Sequence, residues 1–126
     1  MKTAAIQEII PRILRDMSDG VLVLDMQGNI LYLNEQGQTL LGVEKDCTGL
    51  KYTAAFWQQD TDGQNDAFHQ FVLDAVYDKE HAHSGEAPYT PYGREMRRFR
   101  LTSSFLHSED GAKKIGIVVL FSDITE

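Results

Sequence analysis

The chain has one cysteine, Cys47, three prolines, and fewer cations than anions. One cysteine excludes an internal disulfide and any paired-cysteine zinc site, and it fits a reducing, cytoplasmic compartment. Three prolines and ten glycines in 126 residues argue against a linker-rich or collagenous chain. No stretch approaches the roughly 18 consecutive apolar residues of a membrane span. Lys2 is the only charge before Glu8 and no continuous apolar core follows, so a secretory signal is not expected. Twelve Lys and Arg against nineteen Asp and Glu leave a net charge of −7. That deficit argues against nucleic acid and against an anionic membrane surface as partners. Nucleophile elbows and Walker loops are absent, so an enzyme is not expected.

What remains is an ordinary globular composition, 42% apolar and 25% charged, of single-domain length. Residues 4–17 carry Ile6, Ile9, Ile10, Ile13, Leu14 and Met17 at helical spacing, with Pro11 as a kink. Gly20–Asp25 and Ile30–Asn34 are short apolar runs about a Met26–Asn29 turn, in which Gly28 and Asn29 can take positive φ. Asn34 suits a helix N-cap, and Gly42 a C-cap after Leu40-Leu41. Tyr52, Phe56 and Trp57 should anchor short helical turns. A longer helix spans 66–79, with Phe68, Phe71, Val72, Ala75 and Val76 on one face. Residues 80–93 hold Gly85, Pro88, Pro91 and Gly93 and read as loop with at most a short edge strand. Residues 94–106 alternate, and 114–124 are nearly continuously apolar. This order gives an α+β fold: an antiparallel sheet with helices on one face. Val21–Leu24, Ile30–Leu33 and Ile115–Phe121 are apolar on both faces, so the second face should be covered too, with the N-terminal helix as the candidate.

Ser18–Asp25, Gly28–Ile30, Leu33-Asn34, Leu40–Gly42 and the closing Gly116–Glu126 resemble a PAS (Per-Arnt-Sim) sensor domain over residues 18 to 126. Residues 1–17 then form a separate amphipathic helix for dimerisation or capping. The resemblance implies a five-stranded antiparallel sheet, a small internal cavity and a regulatory role in a larger signalling protein. It further implies that Asp123, Ile124 and Thr125 form the signal exit towards an effector, such as a histidine kinase or a cyclic-nucleotide enzyme. Where the family often has Pro-Ala-Ala after the cap, this chain has Glu35-Gln36-Gly37. Glycine there should weaken the helix by roughly 1 kcal/mol against alanine.

Alternation and the family pattern together place a ligand pocket among Leu22, Leu24, Phe99, Leu101, Ser103, Val119 and Phe121 on the sheet, facing Phe68, Phe71 and Val72 on the long helix. Ser103 is its expected polar group. The large phenylalanines favour a small or absent cavity. The ligand is then an unidentified small molecule, or there is none and the domain is a ligand-free interaction module. Heme would need a helical ligand, and His69 is the candidate; its plain alternative is a side chain turned to solvent. Flavin photochemistry is not expected, because Cys47 lies in Asp-Cys-Thr-Gly-Leu rather than Asn-Cys-Arg-Phe-Leu. His81 and His83 read as a solvated stretch rather than metal ligands, and Asp60, Asp62 and Asp66 miss calcium-loop spacing, so no metal is expected. Arg94, Arg97, Arg98 and Arg100 form the basic cluster, which could clamp an anion but is better read as a surface paired with acids. The stripe from Ile6 to Met17 is too apolar to leave in water and predicts a homodimer through that helix and the outer sheet face.

Overall fold

The computed structural model describes residues 18–58 and 63–125. The expected helix with Ile6, Ile9, Ile10, Ile13, Leu14 and Met17 lies outside the described residues, as do Asp60 and Asp62. The elements are β1 (Gly20–Asp25), β2 (Ile30–Leu33), α1 (Glu35–Leu41), a π-helical turn (Thr53–Trp57), α2 (Asp66–Tyr77), β3 (Ser84–Tyr89), β4 (Arg97–His107) and β5 (Lys114–Asp123). The strands form one antiparallel sheet in the order β2-β1-β5-β4-β3.

The β1–β2 turn is built by one carboxylate. Asp25 accepts from the amides of Gln27 and Asn29 at 2.9 Å and from the Asn29 side chain at 2.9 Å. Burial opposes its ionisation, but these bonds and the Lys51 charge prevail and hold its carboxyl below the usual range. Only Gly28 of the turn takes positive φ, at 86°. Asn29, expected to share that role, holds the turn through its side chain instead.

Asn34 caps α1 as expected, accepting from the Gly37 amide at 2.8 Å. The same oxygen accepts from Val21 at 2.9 Å, and the Asn34 amide group donates to the Asp19 carbonyl at 3.0 Å. One side chain therefore fixes the helix start to β1. Gly42 closes the helix with φ 73°, where glycine carries no Cβ penalty.

Parity along the strands decides the core. On the inner face Leu22, Leu24, Phe99, Leu101, Ile117, Val119 and Phe121 are buried against Phe68, Val72, Ala75 and Val76 of α2. On the outer face Val21 is buried while Val23, Val118 and Leu120 are half-buried. At the far end of that face Leu106 is exposed. The stretch expected to be mostly loop contains β3, a full edge strand paired with β4 from Ser84↔Thr102 to Tyr89↔Arg97. Pro88 is tolerated there because an edge strand has one side without ladder bonds.

Candidate functional site

A cleft of about 540 Å³ opens where the end of α1, the π-helical turn, the start of α2 and the end of β3 meet. Its wall includes Leu41, Phe56, Asn65, His69, Tyr89 and Pro91. Tyr89 reaches it because β3 alternates, burying Ala87 and Tyr89 while Glu86 faces out. Its hydroxyl donates to the Leu41 carbonyl at 3.0 Å and ties β3 to the end of α1. Asn65 acts as a substitute strand: it accepts from the Thr90 amide at 2.7 Å and donates to the Thr90 carbonyl at 3.1 Å. A buried amide that satisfies both groups of one residue locks α2 to the β3 exit. Gly42 is forced to be small here, since a Cβ would sit 3.1 Å from the Pro91 Cβ. Tyr92, at the tip of the Pro91–Arg94 turn, is 99% exposed above the cleft.

His69 is not turned to solvent, as one expectation had it; it is 1% exposed. Its Nδ1 shares a hydrogen bond of 2.7 Å with the Tyr52 hydroxyl. Its ring stacks on Trp57 at 5.6 Å and meets Tyr52 at 5.7 Å, Phe68 at 6.1 Å and Tyr89 at 6.5 Å. The inward face of α2 runs through Phe68, Val72, Ala75 and Val76, as expected, and His69 is buried beside it, while Tyr77 at the end of the helix is 71% exposed.

The residues expected to surround a ligand form the packed core beside this cleft. Leu22, Leu24, Leu101, Val119 and Val72 are fully buried. Phe68, Phe99 and Phe121 contact one another at centroid distances of 5.6 to 6.0 Å, and Phe99 stacks on Tyr89 at 5.6 Å. Phe71 is half-buried beside His83. The Ser103 hydroxyl accepts from the His83 amide at 2.9 Å and so serves the start of β3. Asn65, Tyr89 and the Tyr52–His69 pair were missed by the sequence reading. The period-two pattern Ala87-Pro-Tyr89 was the available signal for Tyr89; the others depend on contacts between distant segments.

Asp123, Ile124 and Thr125, the expected signal exit, are latched to the start of β4. Arg97 Nε donates to Asp123 at 2.7 Å, and the Arg98 amide donates to the Thr125 hydroxyl at 2.8 Å. The Ile124 amide donates to the Arg98 carbonyl at 2.8 Å, and the Thr125 amide to Asp123 at 2.9 Å. Burial opposes ionisation of Asp123, but the Thr125 bonds and the Arg97 guanidinium hold its carboxyl below the usual range. Arg98 pairs with Glu86 at 3.3 Å, in keeping with the reading of an acid-paired basic surface.

Two other candidates resolve simply. Cys47 is buried, and burial pushes its thiol up, away from the reactive thiolate. His81 and His83 both meet Asp78, at 3.2 and 2.9 Å. The Glu80 amide and these two imidazoles bring the Asp78 carboxyl to about 2. Among the described residues no group of three or more His, Cys, Asp or Glu could hold a metal ion. Also among them, no helix is long and apolar enough to cross a membrane.

Comparison with known proteins agrees with this geometry. Residues 14–126 match the family described as PAS fold. The signal transduction histidine-protein kinase AtoS of Escherichia coli (strain K12) is 28% identical over 116 residues, covering 90% of this chain and 17% of the kinase. The chain therefore corresponds to a small part of that relative. The PAS domain of BvgS from Bordetella pertussis superposes with a TM-score of 0.72 at 21% identity, covering 97% of this chain and 88% of that one. A PAS domain from Colwellia psychrerythraea gives 0.66 at 21% identity, covering 95% and 98%.

Proposed function

This chain belongs to the PAS family, a signal-transduction sensor module, and from that premise we propose that it reads a small ligand in the cleft beside Tyr89 and relays the event to the Asp123–Thr125 exit. One observation carries the reading: Tyr89 and Arg97 are register partners across β3 and β4. Tyr89 lines the cleft and Arg97 holds Asp123. Register partners point to the same face, so a ligand that moves the Tyr89 ring displaces the strand segment that carries the latch cation. Phe99 adds a second link, since it stacks on Tyr89 and is the register partner of Asp123.

The similarity to a histidine kinase supports an effector of that class beyond the exit, in a cytoplasmic signalling protein. The stripe Ile6 to Met17 and the apolar residues of the outer face support a homodimer through both. A non-enzymatic module with no nucleic-acid or membrane partner accords with the net charge of −7 and with the absence of a catalytic motif from the sequence. The chain's residues do not fit heme: the His69 ring is wedged among four aromatic rings and its Nδ1 is held by Tyr52. They do not fit a flavin adduct either, because the Cys47 thiol is buried and pushed towards its neutral form. The reading is of a non-covalent organic ligand.

The second reading, a ligand-free interaction module, is favoured by the close aromatic packing of the core. A native mass spectrum beside the denatured mass separates the two. Extra mass lost on denaturation is the expected result for the sensor. A bare dimer supports the interaction module, and a bare monomer contradicts the homodimer.

A further inference from the structure

A second groove, of about 450 Å³, shares Pro91 with the cleft beside Tyr89. It is lined by Thr39 and Leu40 of α1, Pro91, Arg94, Glu95, Arg97 and Asp123. Two guanidiniums therefore border one groove beside the exit latch. Each has donors to spare. Among the described residues, Arg97 gives only its Nε to Asp123, at 2.7 Å, and Arg94 gives only Nη1 to the Thr39 carbonyl, at 3.1 Å. A guanidinium has five N–H donors, and its terminal fork matches the two oxygens of a carboxylate.

We propose that this groove is a carboxylate-binding site in which Arg94 and Arg97 share one carboxylate and thereby set the strength of the Arg97–Asp123 latch. Three features select the ligand class. The groove already holds a carboxylate against Arg97, that of Asp123. The Glu95 and Asp123 charges penalise a dianion such as phosphate more than a monoanion. Leu40 and Pro91 give the groove an apolar side, which favours a carboxylate carried on an apolar body. Such a ligand draws on the charge that Arg97 gives to Asp123, so its binding is felt at Ile124 and Thr125 without entering the Tyr89 cleft. The proposal does not rest on a ligand in that cleft.

Two sources present this chemistry: a free organic acid, or a glutamate on a partner segment. Benzoate probes the first and the capped peptide acetyl-Ala-Glu-Ala-amide the second, with inorganic phosphate and sodium chloride at matched ionic strength as controls. The readout is the NMR shift of the Arg97 Nε–H and of the Arg98, Ile124 and Thr125 amides. The expected result is a saturable shift at these groups with benzoate or the peptide, and a weaker one with phosphate. Arg94→Ala, which leaves every latch bond in place, should weaken binding about tenfold. Saturation with the peptide alone assigns the site to a protein partner; saturation with benzoate assigns it to a free acid. The proposal is overturned if neither saturates, if chloride gives the same shifts, or if Arg94→Ala binds like the parent chain.

Discussion

Gly37 was expected to be a weakness in α1, costing roughly 1 kcal/mol against alanine. Its surroundings reverse that judgement. A Cβ there would meet Leu33 Cδ1 at 2.6 Å and the Asn34 Oδ1 that caps the helix at 2.8 Å. Overpacking of this kind costs about 1–3 kcal/mol, which exceeds the propensity gain. Gly37→Ala should therefore destabilise the domain by about 1 kcal/mol in urea unfolding; stabilisation would contradict this account of the cap. Asp123 makes a second residue-scale prediction. Its folded carboxyl lies below the usual range, so the latch's contribution is present above the unfolded value of about 3.9 and is lost as pH falls through the folded one. The Arg97 Nε–H and Thr125 amide resonances should stay flat from neutral pH to about 4 and move below it. Asp123→Asn should abolish that movement. The intent of Asn34 and Gly42 was legible in the sequence because caps act within one turn of their own position. The restraint on Gly37 was not, since it depends on where the Leu33 and Asn34 side chains point, nor was that on His69, whose partners Tyr52, Trp57 and Tyr89 come from other segments.

At the scale of elements, local periodicity identified what local periodicity controls. The hairpin, α1, α2, β4 and β5 all follow from alternating or helical spacing, and the observed strands end within a few residues of those readings. The helical turn expected at Tyr52, Phe56 and Trp57 is there, but its π-helical form and the full length of β3 were not legible. Thr53–Trp57 is held by burial of Tyr52 and Phe56 against the core, and β3 by pairing with β4. Neither cause is written within its own segment. Asn65 shows how such contacts join elements. It stands at the N-cap position of α2, yet its side chain makes no capping bond and clamps Thr90 instead. Asn65→Ala would leave the part-buried Thr90 amide and carbonyl without these partners, and an unsatisfied buried group costs about 1–3 kcal/mol. The expected loss is about 1–2 kcal/mol in chemical denaturation, with the Thr90 and Tyr89 amides losing protection first. An effect below about 0.5 kcal/mol would mean that water replaces the clamp at no cost.

For the whole molecule, the sheet order β2-β1-β5-β4-β3 puts the cleft and Asp123–Thr125, the proposed exit, at the same end of the β3–β4 pair. The sequence reading placed Leu22, Phe68, Phe99 and Phe121 on the inner face and set a ligand among them; the structure packs the three phenylalanines ring on ring there. The volume of a cleft depends on rotamers and on how helices sit, which residue patterns do not encode. The most direct measurement is amide hydrogen exchange at Arg98, Ile124 and Thr125 in the parent chain and in Tyr89→Phe, with global stability determined in parallel. That substitution keeps the ring and removes only the hydroxyl that holds Leu41. The account predicts that these latch amides exchange faster than the loss of global stability explains, while the β1–β2 hairpin amides follow global stability alone. Latch amides that change no more than the hairpin amides would contradict a connection between the cleft and the exit.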